Sequence, residues 1–403
     1  MKPALRQRAR ELGFDDCRVT TAQAPESAAR FQQWLVEGSH GQMAWLERNA
    51  PKRVDPQQVL PGARSIITLA ASYALESRAP KGKGSVSAQA EAQHVNSSGT
   101  QPMSSSAVTL GEDATPVLRS STAEGGRNSQ SPTHPGYPSG LIARYARYSD
   151  YHSILGERLK QLTGCVNELG GAGTRSLWYV DSGPLLERDL AQRSGLGFIG
   201  KHTNLIGRHL GNWFFLAEII TTLDLEPDAP EKNRCGSCTR CITACPTAAI
   251  SAPFQLDARL CISYLTIELQ GSIPQELRPA IGNRIYGCDD CLLVCPWNRF
   301  AREGQIMKAH ARSDLGQPNL LELLALKEAG FKRRFAATPM LRTRRRGLLR
   351  NVCVVLGNIG DAQSLPALQK AAGDPEPLVS EHAQWAIEQI KPRVKHAVFP
   401  PNP

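Results

Sequence analysis

Eight of the eleven cysteines lie between residues 235 and 295, and this clustering constrains the fold more than any other feature of the chain. The first run is Cys235-x2-Cys238-x2-Cys241-x3-Cys245-Pro246, and the second is Cys288-x2-Cys291-x3-Cys295-Pro296. The first run has the spacing of bacterial two-cluster ferredoxins, in which three thiolates bind one [4Fe–4S] cluster and the fourth binds the other cluster. The second run matches the last three cysteines of that motif, so one ligand is missing locally.

Cys261, between the two runs, is available to supply the missing ligand, and we therefore expect a crossed assignment. The first cluster takes Cys235, Cys238, Cys241 and Cys295, and the second takes Cys245, Cys261, Cys288 and Cys291. Two structural zinc sites are the alternative, because zinc is also bound by paired C-x2-C units. The triple spacing that ends in Cys-Pro favours two cubanes. We expect the isolated Cys17, Cys165 and Cys353 to be small buried hydrophobic side chains.

Composition and periodicity divide the rest of the chain. Residues 1–225 mix helical and strand-like patterns and predict an α/β domain, 226–310 predict a ferredoxin-like two-cluster domain, and 311–395 predict a helical unit similar to a HEAT repeat. Residues 76–136 are rich in Ser, Gly, Gln, Pro and Ala and contain no Phe, Tyr, Trp, Ile or Cys. Such a segment buries too little apolar surface to fold, so we expect a disordered insertion there.

The apolar periodicity also predicts individual elements. The predicted helices are Arg6–Leu12, Ala29–Leu46, Tyr151–Leu169, Leu185–Ser194, Leu320–Phe331, Arg345–Leu356, Ser364–Ala372 and Leu378–Gln389, and the predicted strands are Ala63–Ala71, Ser176–Asp181 and Asn212–Thr222.

Basic charge is concentrated near the C-terminal helices. Lys and Arg exceed Asp and Glu by 47 − 37 = 10 over the whole chain, whereas residues 332–350 hold eight basic residues and no acidic one. Clustered arginine is typical of a phosphate-binding surface, so we expect RNA to bind there. The candidate contacts are Arg342, Arg344, Arg345, Arg346 and Arg350. The alternative is a solvated basic face, which is the commoner meaning of a charge run.

The N-terminal sequence carries no signal that would direct the chain out of the cytoplasm. Residues 1–14 have neither the apolar core of a secretory signal nor an adjacent Arg-Arg pair. The sequence has no run of 18 apolar residues, so no transmembrane helix is expected. We expect a cytoplasmic protein with no membrane partner.

Ordered segments along nearly the whole chain, apart from the insertion, resemble epoxyqueuosine reductase. They are Lys52-Arg53-x-Asp55-Pro56, Pro61-Gly62-Ala63-Arg64-Ser65, Arg144-Tyr145-Ala146-Arg147, Asp150-Tyr151-His152, Asp181-Ser182-Gly183-Pro184 with Glu187-Arg188, Gly197-Phe198-Ile199-Gly200-Lys201-His202-Thr203-Asn204, the two cysteine runs, and Cys261-Ile262-Ser263-Tyr264-Leu265-Thr266-Ile267-Glu268.

The resemblance implies a cobalamin-dependent oxidoreductase that completes queuosine synthesis in tRNA. It would reduce the epoxide of epoxyqueuosine at the anticodon wobble base to the alkene of queuosine. Cobalamin would lie on the N-terminal domain, and the two clusters would deliver electrons one at a time from a small-protein or flavoprotein donor. The partner would be the anticodon stem-loop of the tRNA, and we expect the enzyme to be a monomer.

The resemblance also implies that Asp181 donates a proton to the epoxide oxygen. Asp181 follows the apolar residues 177–180 and so ends a strand, where ligands bind in α/β sheets. A carboxyl beside apolar walls has a raised pKa, which suits an acid. The alternative is that Asp181 caps the helix beginning near Pro184. Besides Asp181, the cofactor-binding candidates are Arg53, Tyr145, Lys201, Asn204, Ser263 and Gly287, each of which also has an ordinary structural explanation.

Three other functions compete with this one. A reductive dehalogenase also pairs cobalamin with two cubanes, but that class normally carries a twin-arginine signal and has no use for a basic helical C-terminus. An electron-transfer ferredoxin with an attached binding domain would need no cobalamin, and the long N-terminal region argues against it. A structural zinc protein that binds RNA would carry zinc in place of iron.

Overall fold

The computed structural model describes residues 1–74 and 136–398, with side chains as far as residue 394. The predicted insertion therefore lies outside the described residues, apart from Gly136. The strands are β1 (Asp16–Thr21), β2 (Ser65–Ser72), β3 (Leu141–Ile142), β4 (Ser176–Tyr179), β5 (Phe198–Ile199), β6 (Leu205–Ile206), β7 (Phe214–Thr221) and β8 (Arg284–Tyr286). The helices are α1 (Lys2–Glu11), α2 (Ala28–Val36), α3 (Ala44–Arg48), α4 (Ala50–Val54), α5 (Tyr151–Gly170), α6 (Glu187–Arg193), α7 (Arg240–Thr243), α8 (Ile262–Ile267), α9 (Arg278–Ile281), α10 (Asp290–Leu293), α11 (Gln305–Lys308), α12 (Leu320–Leu324), α13 (Glu328–Arg334), α14 (Arg344–Ile359), α15 (Leu365–Ala371) and α16 (Pro377–Val398). Among these described helices, none is long and apolar enough to cross a membrane.

A four-stranded sheet in the order β1-β2-β7-β4 organises the N-terminal half. Every neighbouring pair in this sheet is antiparallel. The mixed helix and strand content agrees with the predicted class. Asp181 therefore follows the end of β4, an edge strand of an antiparallel sheet in which β7 lies between β2 and β4 and runs opposite to both.

Both faces of the central strands are covered, which explains why β2 and β7 read as continuous apolar runs. One face packs against α1 and α5, with Ile67 and Ile219 buried against Leu155 and Leu159. The opposite face packs against α6. Glu218, in the middle of β7, is the charged residue within this otherwise apolar pair of strands.

A second core forms around α14, which packs on α16, α12 and β8. Strand β3 pairs with β8 in parallel, so the chain before the cysteine region is tied to the segment that leads into the second cysteine run. All described residues belong to one compact unit. The predicted division at 225/226 and 310/311 stays a prediction.

Two predicted helices are wrong as single elements. The helix over 29–46 is divided between α2 and α3, because Gly38 and Gly41 adopt left-handed backbone angles, with φ of 63° and 61°. The helix over 320–331 is divided between α12 and α13, where the Leu326 carbonyl leaves the helix and accepts a hydrogen bond from Arg345 Nε at 2.7 Å. Strand β1 was not predicted at all, since its sequence DCRVTT has little apolar character.

Candidate active site and iron–sulfur region

The eight clustered cysteines form two groups of neighbours. Burial raises the pKa of the Cys241 thiol, and the charges of Cys235 and Cys295 raise it further. Burial likewise raises the pKa of Cys295, where Cys235 and Cys238 add to the effect. The first group therefore contains three cysteines of the first run and the last cysteine of the second run.

The second group is built in the same way. Burial raises the pKa of Cys291, and the charges of Cys288, Cys261 and Cys245 raise it further. Burial also raises the pKa of Cys261, and Cys245 contributes to that shift. Cys245, the fourth cysteine of the first run, is thus a neighbour of the second run.

Two short helices explain the exchange. Helix α7 ends just before Cys245 and helix α10 ends just before Cys295, and the two helices pack against each other. Each helix therefore carries its following cysteine away from its own run and toward the other. Because both runs are built in this way, each group combines cysteines of its own run with the last cysteine of the other run.

Four thiols in each group suit a cubane. Among the described residues, no three His, Cys, Asp or Glu side chains converge closely enough to hold a single metal ion. A [4Fe–4S] cluster does not require such convergence, because each thiolate binds a different iron atom. All eight cysteines are free thiols, which is the form that binds iron.

Polar groups outside the cysteines hold the two cluster loops. Lys201 Nζ donates to the carbonyls of Gly236 at 2.8 Å and Cys238 at 2.9 Å. In the second loop, the Cys288 backbone N–H donates to Ser263 Oγ at 3.1 Å. Lys201 and Ser263, both predicted to bind the corrin, thus support the first and second cysteine groups respectively.

Asp181 lies beyond the end of β4 in a strained, exposed loop. Its φ is 56°, a left-handed angle that is uncommon for a residue other than glycine, and its side chain is 62% exposed. Asp181 Oδ2 accepts a hydrogen bond of 2.6 Å from Tyr151 Oη and lies 4.0 Å from His152 Nε2. One side of its carboxyl is therefore open to solvent, and the other side contacts Tyr151 and His152 of α5.

Asp150 caps α5 and orients the His152 side chain. Its Oδ1 accepts from the His152 backbone N–H at 3.0 Å and lies 2.8 Å from His152 Nδ1. The imidazole is thus fixed on one nitrogen by Asp150 and directs the other toward Asp181. Tyr151 stacks on Phe215 with ring centroids 4.1 Å apart, which fixes the phenol as well.

Arg53 and Trp45 form a second wall of the site. Arg53 is 6% exposed, donates from Nη1 to the Leu185 carbonyl at 2.8 Å, and lies over the Trp45 ring at 5.2 Å. Burial lowers the pKa of Arg53, while Glu187 and Asp181 raise it. Within the described residues, Arg53 Nε and Trp45 Nε1 are buried donors without a hydrogen-bond acceptor.

Tyr145 and Gly287 connect Asp181 to the second cysteine group. Tyr145 meets Tyr151 edge-on with ring centroids 6.3 Å apart. A Cβ added to Gly287, whose φ is 70°, would come within 2.6 Å of Ala143 Cβ and 3.7 Å of the Tyr145 ring, so only glycine fits. Cys288 follows Gly287 directly. Asn204, by contrast, belongs to the turn of Lys201, where its backbone N–H donates to His202 Nδ1 at 3.1 Å.

Two further carboxyls lie behind Asp181. Burial raises the pKa of Glu187, and Asp181 raises it further, while Arg188 and Arg53 lower it. Burial also raises the pKa of Glu218 well above its ordinary value, with Glu187 and Asp181 adding to the shift. In the part of the chain described, Glu187 Oε1 and both carboxyl oxygens of Glu218 have no hydrogen-bond partner.

The predicted RNA-binding arginines divide into exposed and structural members. Arg350 is 1% exposed and donates to the carbonyls of Leu265, Leu269 and Gly271 at 2.7 Å. Arg345 pairs with Asp374 at 2.5 Å. The guanidinium groups of Arg345 and Arg350 therefore stabilise the fold and are not free to bind RNA phosphates. Arg344 is exposed, and Arg346 donates to Gln270 Oε1 at 3.3 Å.

Arg342 lies at the mouth of the site. It pairs with Glu268 at 2.7 Å and lies over the opposite wall residue Trp45 at 5.8 Å. Burial lowers the pKa of Arg342, while Glu268 raises it and Asp181 contributes to that rise. Arg342 thus brings one exposed residue of the basic segment to the Trp45 wall of the site.

Sequence reasoning gave no role to Tyr151, His152, Glu187 or Glu218. The first three occur in the segments that carry the resemblance, so the signal was present but unassigned. Glu218 had its own signal, a single acidic residue within the apolar run of β7. The elements that bury Glu218 are β2, β4 and α6, and its sequence neighbours do not reveal them.

Two family models match the sequence. Residues 119–182 match the model described as epoxyqueuosine reductase QueG, DUF1730, and residues 234–298 match the 4Fe–4S double cluster binding domain. The second match confirms the prediction of two [4Fe–4S] clusters and sets aside the zinc alternative.

Known proteins match nearly the whole chain. An epoxyqueuosine reductase of Xanthomonas campestris pv. campestris is 40% identical over 387 residues, which cover 96% of this chain and 95% of that protein. A crystal structure of an epoxyqueuosine reductase with a tRNA-Tyr epoxyqueuosine-modified stem loop has a TM-score of 0.76 at 29% identity, covering 96% of this chain and 89% of its own. A structure from Bacillus subtilis, with its catalytic aspartate loop swung out of the active site, gives a TM-score of 0.76 at 29% identity, covering 96% of this chain and 90% of its own.

Proposed function

This chain belongs to the epoxyqueuosine reductase family, and on that premise we propose that it reduces the epoxide of epoxyqueuosine in tRNA to the alkene of queuosine. The overall change consumes two electrons and two protons and releases the epoxide oxygen as water. The observation that carries the proposal is the position of Asp181, an open carboxyl linked through Tyr151, Tyr145 and Gly287 to the second cysteine group. An acid and an electron route therefore meet at one site.

The two cysteine groups are the proposed cluster ligands. The first cluster takes Cys235, Cys238, Cys241 and Cys295, and the second takes Cys245, Cys261, Cys288 and Cys291. The mutual pKa effects within each group support this crossed assignment. The second cluster is the one nearer Asp181, since Gly287, where an added Cβ would lie 3.7 Å from the Tyr145 ring, directly precedes Cys288.

Cobalamin is the proposed cofactor between the second cluster and Asp181. When bound, it supplies the two-electron chemistry that opens the epoxide. The buried donors Arg53 Nε and Trp45 Nε1 lack an acceptor among the described residues, and the amide carbonyls on the rim of a corrin fit that need. Tyr145, Ser263 and Gly287 would form the wall on the cluster side. Lys201 holds the first cluster loop and Asn204 lies in the turn beside it, so a corrin contact of either residue would be additional to these bonds.

Asp181 is the proposed proton donor. Opening an epoxide places negative charge on oxygen, and a positioned acid lowers that barrier. Tyr151 Oη donates to Asp181 Oδ2, so the other carboxyl oxygen carries the proton toward the substrate. The electron pair of the breaking C–O bond takes that proton, and Asp181 is left as a carboxylate that Tyr151 and His152 stabilise.

A bacterial strain that lacks its own epoxyqueuosine reductase provides the test. Such a strain keeps the epoxide in its tRNA, and expression of this chain is expected to replace it with queuosine, as read by mass spectrometry of digested tRNA. A matched strain expressing the Asp181→Asn variant controls for residual activity. Epoxide that persists at normal expression of the folded wild-type chain would overturn the proposed function.

The tRNA substrate is proposed to contact the basic segment through Arg342, Arg344 and Arg346. Arg342 lies over Trp45 at the site, Arg344 is exposed and Arg346 is half-buried, whereas Arg345 and Arg350 are held by Asp374 and by backbone carbonyls. An anticodon stem-loop brings backbone phosphates to such a surface along with its unstacked bases. The solved relative that carries a tRNA stem loop supports the same class of partner.

Replacing Arg344 and Arg346 with glutamine is expected to weaken tRNA binding by about tenfold, because each loses one phosphate contact. The slope of log affinity against log salt should fall by roughly 1.4 to 1.8. The matched control is Arg8→Gln with Arg10→Gln on α1, which removes the same charge from another helix. Filter-binding or fluorescence titration at several salt concentrations measures both quantities. Equal slopes for the two double variants would mean that Arg344 and Arg346 form only a solvated surface.

The remaining features follow from the proposed reaction. We propose that helices α12–α16 form the HEAT-like unit that presents the basic segment, and that residues 1–225 form the cobalamin-binding part. A small-protein or flavoprotein donor would reduce the first cluster. The tRNA substrate places the reaction in the cytoplasm, and a monomer suffices because every proposed group comes from one chain.

A further inference from the structure

The two cysteine groups differ in how open their surroundings are to solvent. In the run of the first group, the exposed residues between Cys235 and Cys241 are Gly236, Ser237, Thr239 and Arg240. In the run of the second group, every residue from 286 to 292 is buried or half-buried. An electron donor must approach a cluster closely, so electrons can enter at the first group and pass through the second group toward Asp181.

An aromatic pair lies beside the first group and reaches the surface. Trp297 and Cys235 pack against the same buried cluster, which contains Phe198 and Cys295. The ring of Trp297 lies 5.2 Å from that of Phe198 and 5.5 Å from that of Phe300. Phe300 is 39% exposed. Trp297 thus connects the ligands of the first cluster to an exposed aromatic side chain.

Basic side chains surround this aromatic pair. Arg299 lies over the Phe300 ring at 4.7 Å. Arg234 pairs with Glu231 at 2.9 Å, and Arg208 reaches the same carboxylate at 3.9 Å. The two arginine side chains are 43% and 48% exposed, whereas that of Glu231 is 13% exposed. Because two cations share one half-buried carboxylate, this part of the surface keeps a positive charge.

The turn that carries Arg208 touches the aromatic segment. A Cβ added to Gly211, at the end of this turn, would come within 3.0 Å of Asn298 Cα and 3.2 Å of the Trp297 carbonyl oxygen. Asn212, the next residue, donates from Nδ2 to Asn298 Oδ1 at 2.8 Å. The arginines and the aromatic pair therefore belong to one continuous surface.

The chain segments that carry the first group are basic throughout. Residues 232–245 and 295–302 together contain five basic residues and no Asp or Glu. All five are exposed, and they are Lys232, Arg234, Arg240, Arg299 and Arg302. We call these five residues, with Arg208, Trp297 and Phe300, the first-cluster surface. The second run, by contrast, contains Asp289 and Asp290.

A positive surface with an exposed aromatic ring suits an acidic electron carrier. Complementary charge speeds the encounter of two proteins and sets their orientation. Transient redox complexes bury less than about 1,200 Å², so a surface of this size is sufficient. tRNA is also anionic, but in the proposed reaction its anticodon loop lies at Asp181, beside the other cysteine group. The position of the surface around the first group therefore favours a redox protein.

We propose that the first-cluster surface docks a small acidic redox protein, which delivers single electrons to the first cluster. This inference rests on the proposed function, because it assumes that electrons pass from the first cluster to the site of Asp181. In each encounter the carrier loses one electron and the cluster gains it, and no covalent bond forms or breaks. Two encounters supply the two electrons that the proposed reduction consumes.

Stopped-flow reduction of the cluster-loaded chain tests this surface. The probes are two acidic carriers, a reduced flavodoxin and a reduced plant-type ferredoxin. The variant is Arg240→Gln with Arg299→Gln, and the control is Arg8→Gln with Arg10→Gln on α1, which loses the same charge. We expect the variant, but not the control, to be reduced about tenfold more slowly than wild type at low ionic strength. The difference should vanish as added salt shortens the Debye length.

Two further measurements show whether docking alone has changed. Reduced methyl viologen, a small cation, should reduce the variant at least as fast as wild type, because the clusters themselves are the same. The anisotropy of flavin fluorescence measures the binding of oxidised flavodoxin without any turnover. We expect its dissociation constant to rise about tenfold in the variant at low salt. The affinity of the variant for tRNA should equal that of wild type.

The outcomes separate this inference from the proposed function. Equal reduction rates for wild type and variant at low salt would overturn the docking surface, as would failure of both carriers to reduce a wild-type protein that methyl viologen reduces. A variant that loses tRNA affinity and keeps its carrier rate would show that the surface binds RNA, which also overturns the inference. Carrier-dependent reduction of the clusters without loss of the epoxide would overturn the proposed function and leave the docking surface in place.

Discussion

Replacement of Asp181 by asparagine is expected to lower the single-turnover rate of epoxide reduction by about 10²- to 10⁴-fold, the range typical of a positioned general acid. Asparagine keeps the size of the side chain and still accepts from Tyr151 Oη, but it has no proton to give to the leaving oxygen. Cluster content and tRNA affinity should stay unchanged, because Asp181 is neither a thiolate ligand nor part of the basic segment. Rapid-quench mixing with nucleoside mass spectrometry measures the rate.

The matched control is Asp224→Asn, since Asp224 is an exposed acid of similar accessibility that pairs with Arg64 beyond the end of β7. It should turn over at the wild-type rate. If Asp181→Asn also kept the wild-type rate, Asp181 would serve only as a hydrogen-bond partner of Tyr151, and His152 would become the first candidate for the acid.

Removal of single cysteines is expected to abolish turnover and to reveal the crossed ligand pattern. Cys295→Ser should remove the cluster held by the first run, although Cys295 belongs to the second run, and Cys245→Ser should remove the other cluster. Each variant should lose about half of its iron, since the double-cluster domain holds two equal cubanes. Both clusters lie on the electron route, so either loss stops the reaction.

Spectra of the reduced proteins decide the pattern. Cys295→Ser should leave the same residual electron paramagnetic resonance signal as Cys241→Ser, and Cys245→Ser the same signal as Cys291→Ser. Cys165→Ser on α5, outside both groups, is the control and should keep both signals. A residual signal that Cys245→Ser shares with Cys241→Ser would mean that each run keeps its own fourth cysteine.

The cysteine region could be predicted from sequence because the constraint is local. The cysteines that bind one cubane are spaced only a few residues apart. In this motif the last cysteine of each run, which is followed by proline, binds the cluster of the other run. The crossed assignment remains a proposal, which the mutual pKa effects of the cysteines support. The contact of Lys201 with the Cys238 carbonyl could not be predicted in this way, because it joins segments 37 positions apart in the chain.

The surroundings of Asp181 depend on tertiary contacts that no spacing encodes. Tyr151 reaches Asp181 across 30 positions, and the charge of Asp181 reaches Glu218 only because β4 and β7 are paired. The antiparallel order of the sheet likewise depends on long connections that leave no periodic signal. The arginines illustrate the same point, because Arg344 and Arg350 look alike in sequence, whereas one is exposed and the other is buried against three carbonyls.

The most direct measurement is anaerobic reconstitution of the purified chain with iron and sulfide, followed by reaction with epoxyqueuosine-containing tRNA and a strong reductant, with and without cobalamin. The account predicts queuosine in the digested tRNA only where cobalamin is present, with cobalamin retained by the protein after desalting. Queuosine formed equally well without cobalamin, or bound cobalamin with no loss of the epoxide, would contradict it.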